Sequence, residues 1–158
     1  MTQEDIAFDG IIKYITSDPK LHLISAHPPS GKSYTTDLIR FPSPTQKKTG
    51  AERYHVDIIF CSSTHLFLCE VKGSTAESQQ DILKLNSLIS HYSVDKLKKF
   101  IIDRLTTKCD LLNLCNNVVI CIGAYNLNSN LEDNVLYLIS DGSVVGIHSS
   151  TPMVDIEH

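Results

Sequence analysis

No stretch of eighteen apolar residues occurs in the chain, which leaves no segment suited to cross a bilayer as a helix. No charged-then-apolar leader opens it, an argument against secretion. No two cysteines form a CxxC pair, and no two histidines share a helix face at metal-binding spacing, so zinc chemistry is not indicated. The five cysteines, Cys61, Cys69, Cys109, Cys115 and Cys121, are odd in number, and two fall inside predicted strands. They read as reduced core thiols of a cytoplasmic protein. Internal repeats and low-complexity segments are missing. So is any basic excess: Lys and Arg number 14 against 18 Asp and Glu, for a net charge of −4. Non-specific affinity for a polyanion comes mainly from Lys and Arg neutralising phosphates, and the chain as a whole does not supply that surplus. Basic residues do gather locally, at Lys47-Lys48 and at Lys96, Lys98 and Lys99.

What is present fits one domain: 158 residues, 42% of them hydrophobic, enough for a single core. Residues 3–17 carry a helical apolar stripe of Phe8, Ile11 and Ile15, with Glu4 on the same line one turn earlier. A first strand follows at residues 21–26. Ser74-Thr75-Ala76-Glu77 has the form of a capping box, so a helix is expected to start directly after Lys72-Gly73 and run to about Ser90, burying Ile82, Leu85 and Ile89. Gln79 lies nearer that buried side than Gln80. Ser93 caps a further helix with Val94, Leu97, Ile101 and Leu105 as its stripe. Residues 117–124 are almost wholly apolar, as in a strand covered on both faces. Residues 135–139 and 144–147, joined through Asp141-Gly142, form a final hairpin. The order predicts a mixed sheet flanked by helices, with an added C-terminal β-hairpin.

The organising stretch is residues 54–60 and 66–72, two strand-like arms separated by Cys61-Ser62-Ser63-Thr64. A turn centred between Ser63 and Thr64 sets Ile59 opposite Leu68, Asp57 opposite Glu70 and His55 opposite Lys72. Opposed residues have Cβ atoms roughly 4.5–5.5 Å apart, so Asp57, Glu70 and Lys72 would share one patch beneath the first helix. Two carboxylates that close repel, and burying them requires a positive partner. Mg²⁺, held through one or two carboxylates with its waters, suits that role. A neighbouring lysine then suits phosphodiester hydrolysis, orienting water or stabilising developing negative charge.

Asp57, twelve intervening residues and then Glu70-Val71-Lys72 resembles the PD-(D/E)XK signature of the restriction-endonuclease-like and Holliday-junction-resolvase-like nucleases. The resemblance covers residues 1–125, with Val56 standing where the signature has Pro. It implies an αβββαβ core whose central hairpin is catalytic. It further implies Mg²⁺, with Mn²⁺ able to substitute, on Asp57 and Glu70, and Lys72 orienting or activating water. Glu4 would complete the site as the helical acid before the first strand, and Gln79 would assist it from the helix after the hairpin. DNA is the implied substrate, with Lys47, Lys48 and His55 as contacts. A homodimer or a partner protein would offset the acidic balance.

Two other readings compete. A nuclease fold without catalysis would serve assembly or nucleic-acid docking. Alternatively, Gly31-Lys32-Ser33, after Ala26-His27-Pro28-Pro29-Ser30, satisfies a relaxed phosphate-loop pattern. The short β-branched segment after it and the two prolines within it argue for a turn instead.

Overall fold

The computed structural model describes residues 1–28, 39–42 and 53–150. Both Gly31-Lys32-Ser33 and Lys47-Lys48 lie outside the described residues. The chain opens with α1 (Gln3–Ser17). Thr2 caps it reciprocally with Asp5: the Asp5 N–H donates to Thr2 Oγ1 at 3.1 Å and the Thr2 N–H to Asp5 Oδ2 at 3.2 Å, which satisfies donors that a helix start leaves orphaned. Strands β1 (His22–Ala26), β2 (Arg40–Pro42), β3 (Arg53–His55), β4 (Ile58–Cys61) and β5 (His65–Ser74) follow. A 3₁₀ turn (Thr75–Glu77) leads into α2 (Gln79–His91), α3 (Val94–Ile102) and α4 (Asp110–Leu114). Strands β6 (Asn117–Asn126), β7 (Val135–Ser140) and β8 (Val145–Ser149) complete the order.

Six strands form one mixed sheet in the order β1-β4-β5-β6-β7-β8. β4 runs antiparallel to both β1 and β5, β6 is parallel to both β5 and β7, and β8 returns antiparallel as the added hairpin. Alternation along β5 divides the core. Phe67, Cys69 and Val71 meet Phe8, Ile11 and Ile15 of α1 on one face. Leu66 and Leu68 meet Ile82, Leu85 and Leu88 of α2 and Leu97 and Ile101 of α3 on the other. Each fully buried aliphatic or aromatic side chain of this kind contributes about 1.5–3 kcal/mol. All five cysteines are buried and unbridged, consistent with their reading as core thiols. Among the described residues, no helix is long and apolar enough to cross a membrane.

Three expectations need correcting. Residues 54–60 are not one strand. The chain leaves the ladder at Val56-Asp57, and β3 pairs with β2 in a separate two-stranded sheet. His55 therefore faces Arg40 and not Lys72. Second, the α-helix does not begin directly after Gly73: β5 continues to Ser74, whose side chain makes no capping hydrogen bond, the 3₁₀ turn follows, and α2 starts only at Gln79. The pairing of β5 with β6 as far as Ser74↔Asn126 provides ladder hydrogen bonds that a helix start would have forfeited. Third, Glu70 and Lys72 do not lie beneath α1. Glu70 and Lys72 share the parity of Leu66 and Leu68, so they fall on the α2 face, opposite α1.

Candidate active site

The hairpin register is Ile58↔Cys69, Ile59↔Leu68, Phe60↔Phe67 and Cys61↔Leu66, a reversal centred between Ser63 and Thr64 as the turn residues suggest. One step beyond Ile58, Asp57 comes across from Glu70. There the ladder ends, and the Asp57 side chain substitutes for it: the Val71 N–H donates to Asp57 Oδ2 at 2.9 Å. The Asp57 carbonyl accepts from the His27 N–H at 2.7 Å, tying the same residue to the end of β1. Asp57 is thus fixed from both flanking strands.

Glu70 is 7% exposed, a carboxylate almost wholly withdrawn from water. The Tyr54 hydroxyl donates to its Oε1 at 2.7 Å, so the small β2–β3 sheet contributes a support that no local pattern announces. Burial, and then the charge and hydrogen bonding of Asp57, push the Glu70 carboxyl well above the usual carboxylate range, with Tyr54 pulling the other way. The Tyr54 hydroxyl is itself driven far up, by burial first and then by Glu70. One oxygen of each acid is taken by a protein donor, and Asp57 still acts on Glu70 strongly enough to raise its carboxyl. This is the electrostatic condition a divalent cation relieves. Among the described residues, no three His, Cys, Asp or Glu side chains form a ready-made cation cluster. A two-carboxylate site completed by water and phosphate is what Mg²⁺ ordinarily uses, and Asp57 and Glu70 fit it.

Lys72 projects from the same face. Its Nζ lies 3.5 Å from Asp81 Oδ2. Burial works against its charge, but the carboxylates of Asp81 and Glu4 outweigh that and hold the ammonium above its ordinary range. Asp81 stands outside the motif that singles out Asp57, Glu70 and Lys72. It is 5% exposed and lies in the first turn of α2. The sequence holds one signal for it, visible only once the helix start is known: Asp81 precedes Leu85 and Leu88 by four and seven positions, on the buried stripe. Gln79, by contrast, stands exposed as the first residue of α2.

Glu4 enters from the other layer, in the first turn of α1. Burial raises its carboxyl first of all; Lys72 opposes that shift and Asp57 adds to it, which places Glu4 within electrostatic reach of the cluster. His55 is exposed and stacks on His27 with ring centroids 4.7 Å apart. Among the basic residues, Lys98 is committed elsewhere: its ammonium donates to the carbonyls of Asn113 at 3.0 Å and Cys115 at 2.6 Å, closing the end of α4. Lys96 and Lys99 are exposed.

Compared with protein-family models, curated proteins and solved structures, the chain matches none.

Proposed function

We propose that this chain is a metal-dependent deoxyribonuclease of the PD-(D/E)XK type, with a restriction-endonuclease-like core formed by α1, β1, β4, β5, α2 and β6. The observation that carries the reading is the pairing of a buried Glu70 with Asp57 beside Lys72, an arrangement with little structural use. Two adjacent acids, one of them 7% exposed, weaken a fold unless a cation or a shared proton compensates.

In this reading Asp57 and Glu70 hold Mg²⁺, or Mn²⁺ in its place. The cation supplies Lewis acidity at a phosphoryl oxygen and at the attacking water. Lys72 orients that water and offsets negative charge as it builds on the phosphate. Tyr54 keeps the Glu70 carboxylate in one rotamer, and the Val71 N–H does the same for Asp57. Glu4 adds a further acid at the rim. DNA is the substrate, and a second copy or a partner protein supplies the basic surface that a net charge of −4 withholds.

The test is incubation of wild type and Lys72→Ala with plasmid, linear, single-stranded and branched DNA in Mg²⁺, Mn²⁺ or EDTA. Cutting that requires the cation and falls by about 10²-fold or more in the variant is expected. A wild-type protein inert on every substrate would favour instead a docking module of the same fold, the role that an acidic surface suits better.

A further inference from the structure

Asp81 is the residue in this region that the hydrolytic scheme does not use. It interrupts an otherwise apolar stripe of α2, 5% exposed, where leucine or isoleucine would add to the core at no electrostatic cost. The favourable dipole at a helix start does not account for it, because a first-turn acid gains that benefit while remaining in water. Its Oδ2 is enclosed, and among the described residues it receives no hydrogen bond. What it meets is the Lys72 ammonium, at ion-pair range of 3.5 Å. Lys84 also lowers the Asp81 carboxyl electrostatically, but its side chain is exposed.

Lys72 stands on a strand, and its ammonium is carried on a flexible four-carbon stem with about 2 kcal/mol of rotamer entropy to lose. Glu4 and Asp57 also act electrostatically on the same ammonium. A cation arriving at Asp57 and Glu70 would repel an unrestrained lysine toward solvent. A buried carboxylate on a different element opposes that displacement.

We propose that Asp81 is the positioning residue of Lys72, a carboxylate outside the reacting groups that anchors the ammonium beside the Asp57–Glu70 pair. The proposal rests on the nuclease reading and assigns α2 a part in the site. The helix supplies it through Asp81, two residues beyond Gln79.

The test compares wild type, Asp81→Asn and Lys72→Ala in steady-state cutting of linear DNA with Mg²⁺. A second readout follows the Lys72 ammonium by ¹⁵N NMR in the cation-free protein. For Asp81→Asn, kcat is expected to fall by about 10- to 100-fold through misplacement of the ammonium, with KM within about twofold. An ammonium signal of Lys72 protected from exchange is expected in the wild type and its loss in the variant. If Asp81→Asn melts below the assay temperature, Asp81→Glu takes its place. That variant keeps the charge but lengthens the arm, and a loss in kcat with an unchanged melting temperature is expected. Wild-type kcat and an unchanged ammonium signal in a folded Asp81 variant, with Lys72→Ala inactive, overturn the positioning role alone. A wild type that cuts nothing overturns the nuclease reading and this role together.

Discussion

The backbone N–H of Val71 donates to the carboxylate of Asp57 at 2.9 Å, so a side chain on one strand completes the ladder of the next. That bond holds Asp57 against the strand that carries Glu70 and Lys72, at the point where regular pairing stops. The placement of Asp57 and the termination of the strand pairing are therefore one feature. The consequences can be measured residue by residue.

Glu70→Gln separates stability from chemistry. The Glu70 carboxyl is raised above its unfolded value by burial and by Asp57, so the folded state retains a proton that the unfolded state releases. Stability from this group is complete below the ordinary carboxylate pKa and is lost as pH rises through the raised one. At neutral pH and without divalent cations, Glu70→Gln should therefore be more stable than wild type, by about 1–3 kcal/mol. Mn²⁺ should raise the melting temperature of the wild type and leave the variant unmoved. Differential scanning calorimetry with Mn²⁺ or EDTA checks both.

Tyr54→Phe removes the hydroxyl that donates to Glu70 Oε1. The acid is left buried with one donor fewer, at an expected cost of about 1–3 kcal/mol. Urea denaturation should show a lower midpoint at unchanged slope, and cutting should fall as the Glu70 rotamer loosens. Tyr54→Phe in the Glu70→Gln background should cost less, because a neutral amide tolerates the loss better than a charge.

Gly10→Ala sets two effects of opposite sign against each other. Alanine in a helix interior gains about 1 kcal/mol over glycine. Here an added Cβ would collide with Ser140 Oγ and come within 3.1 Å of the Gly142 Cα, where α1 crosses the β7–β8 turn. Ser140 is buried and accepts a hydrogen bond from the Gly142 N–H at 3.0 Å, so it has little freedom to yield. Overpacking costs about 1–3 kcal/mol, and net destabilisation is expected in thermal melts.

His27 confers acid sensitivity. Burial, followed by His55 and Arg40, brings its imidazole down to about 4. An unfolded histidine titrates near about 6.5, so between those values the unfolded chain binds a proton that the folded one refuses. This contribution is intact above the unfolded value and is lost as pH falls toward the folded one. Because the raised acids give a slope of opposite sign, the difference between wild type and His27→Gln isolates it. That difference in melting temperature should favour the variant increasingly as pH drops from 7 to 4.5.

Sequence alone specified the elements whose causes are local. α1 follows from Thr2, the Phe8/Ile11/Ile15 spacing and the break before Pro19, and it spans Gln3–Ser17. The hairpin register follows from four turn residues between apolar arms, because side chains alternate along a strand and a slip of one would expose Leu66 and Leu68. Asp57, Glu70 and Lys72 could be picked out for the same reason. Tertiary packing decided the rest. Ser74-x-x-Glu77 has the pattern of a helix cap, yet a longer β5 paired to β6 prevailed, since the register from His65 to Lys72, resumed at Ser74, satisfies more backbone groups than a cap can. The delayed start turned Asp81 inward and left Gln79 in solvent. Tyr54 reached Glu70 only because the chain leaves the main sheet at Val56. Short-range periodicity records which face of an element is apolar, whereas the meeting of groups from β3, β5 and α2 depends on contacts distant in sequence that no local pattern encodes.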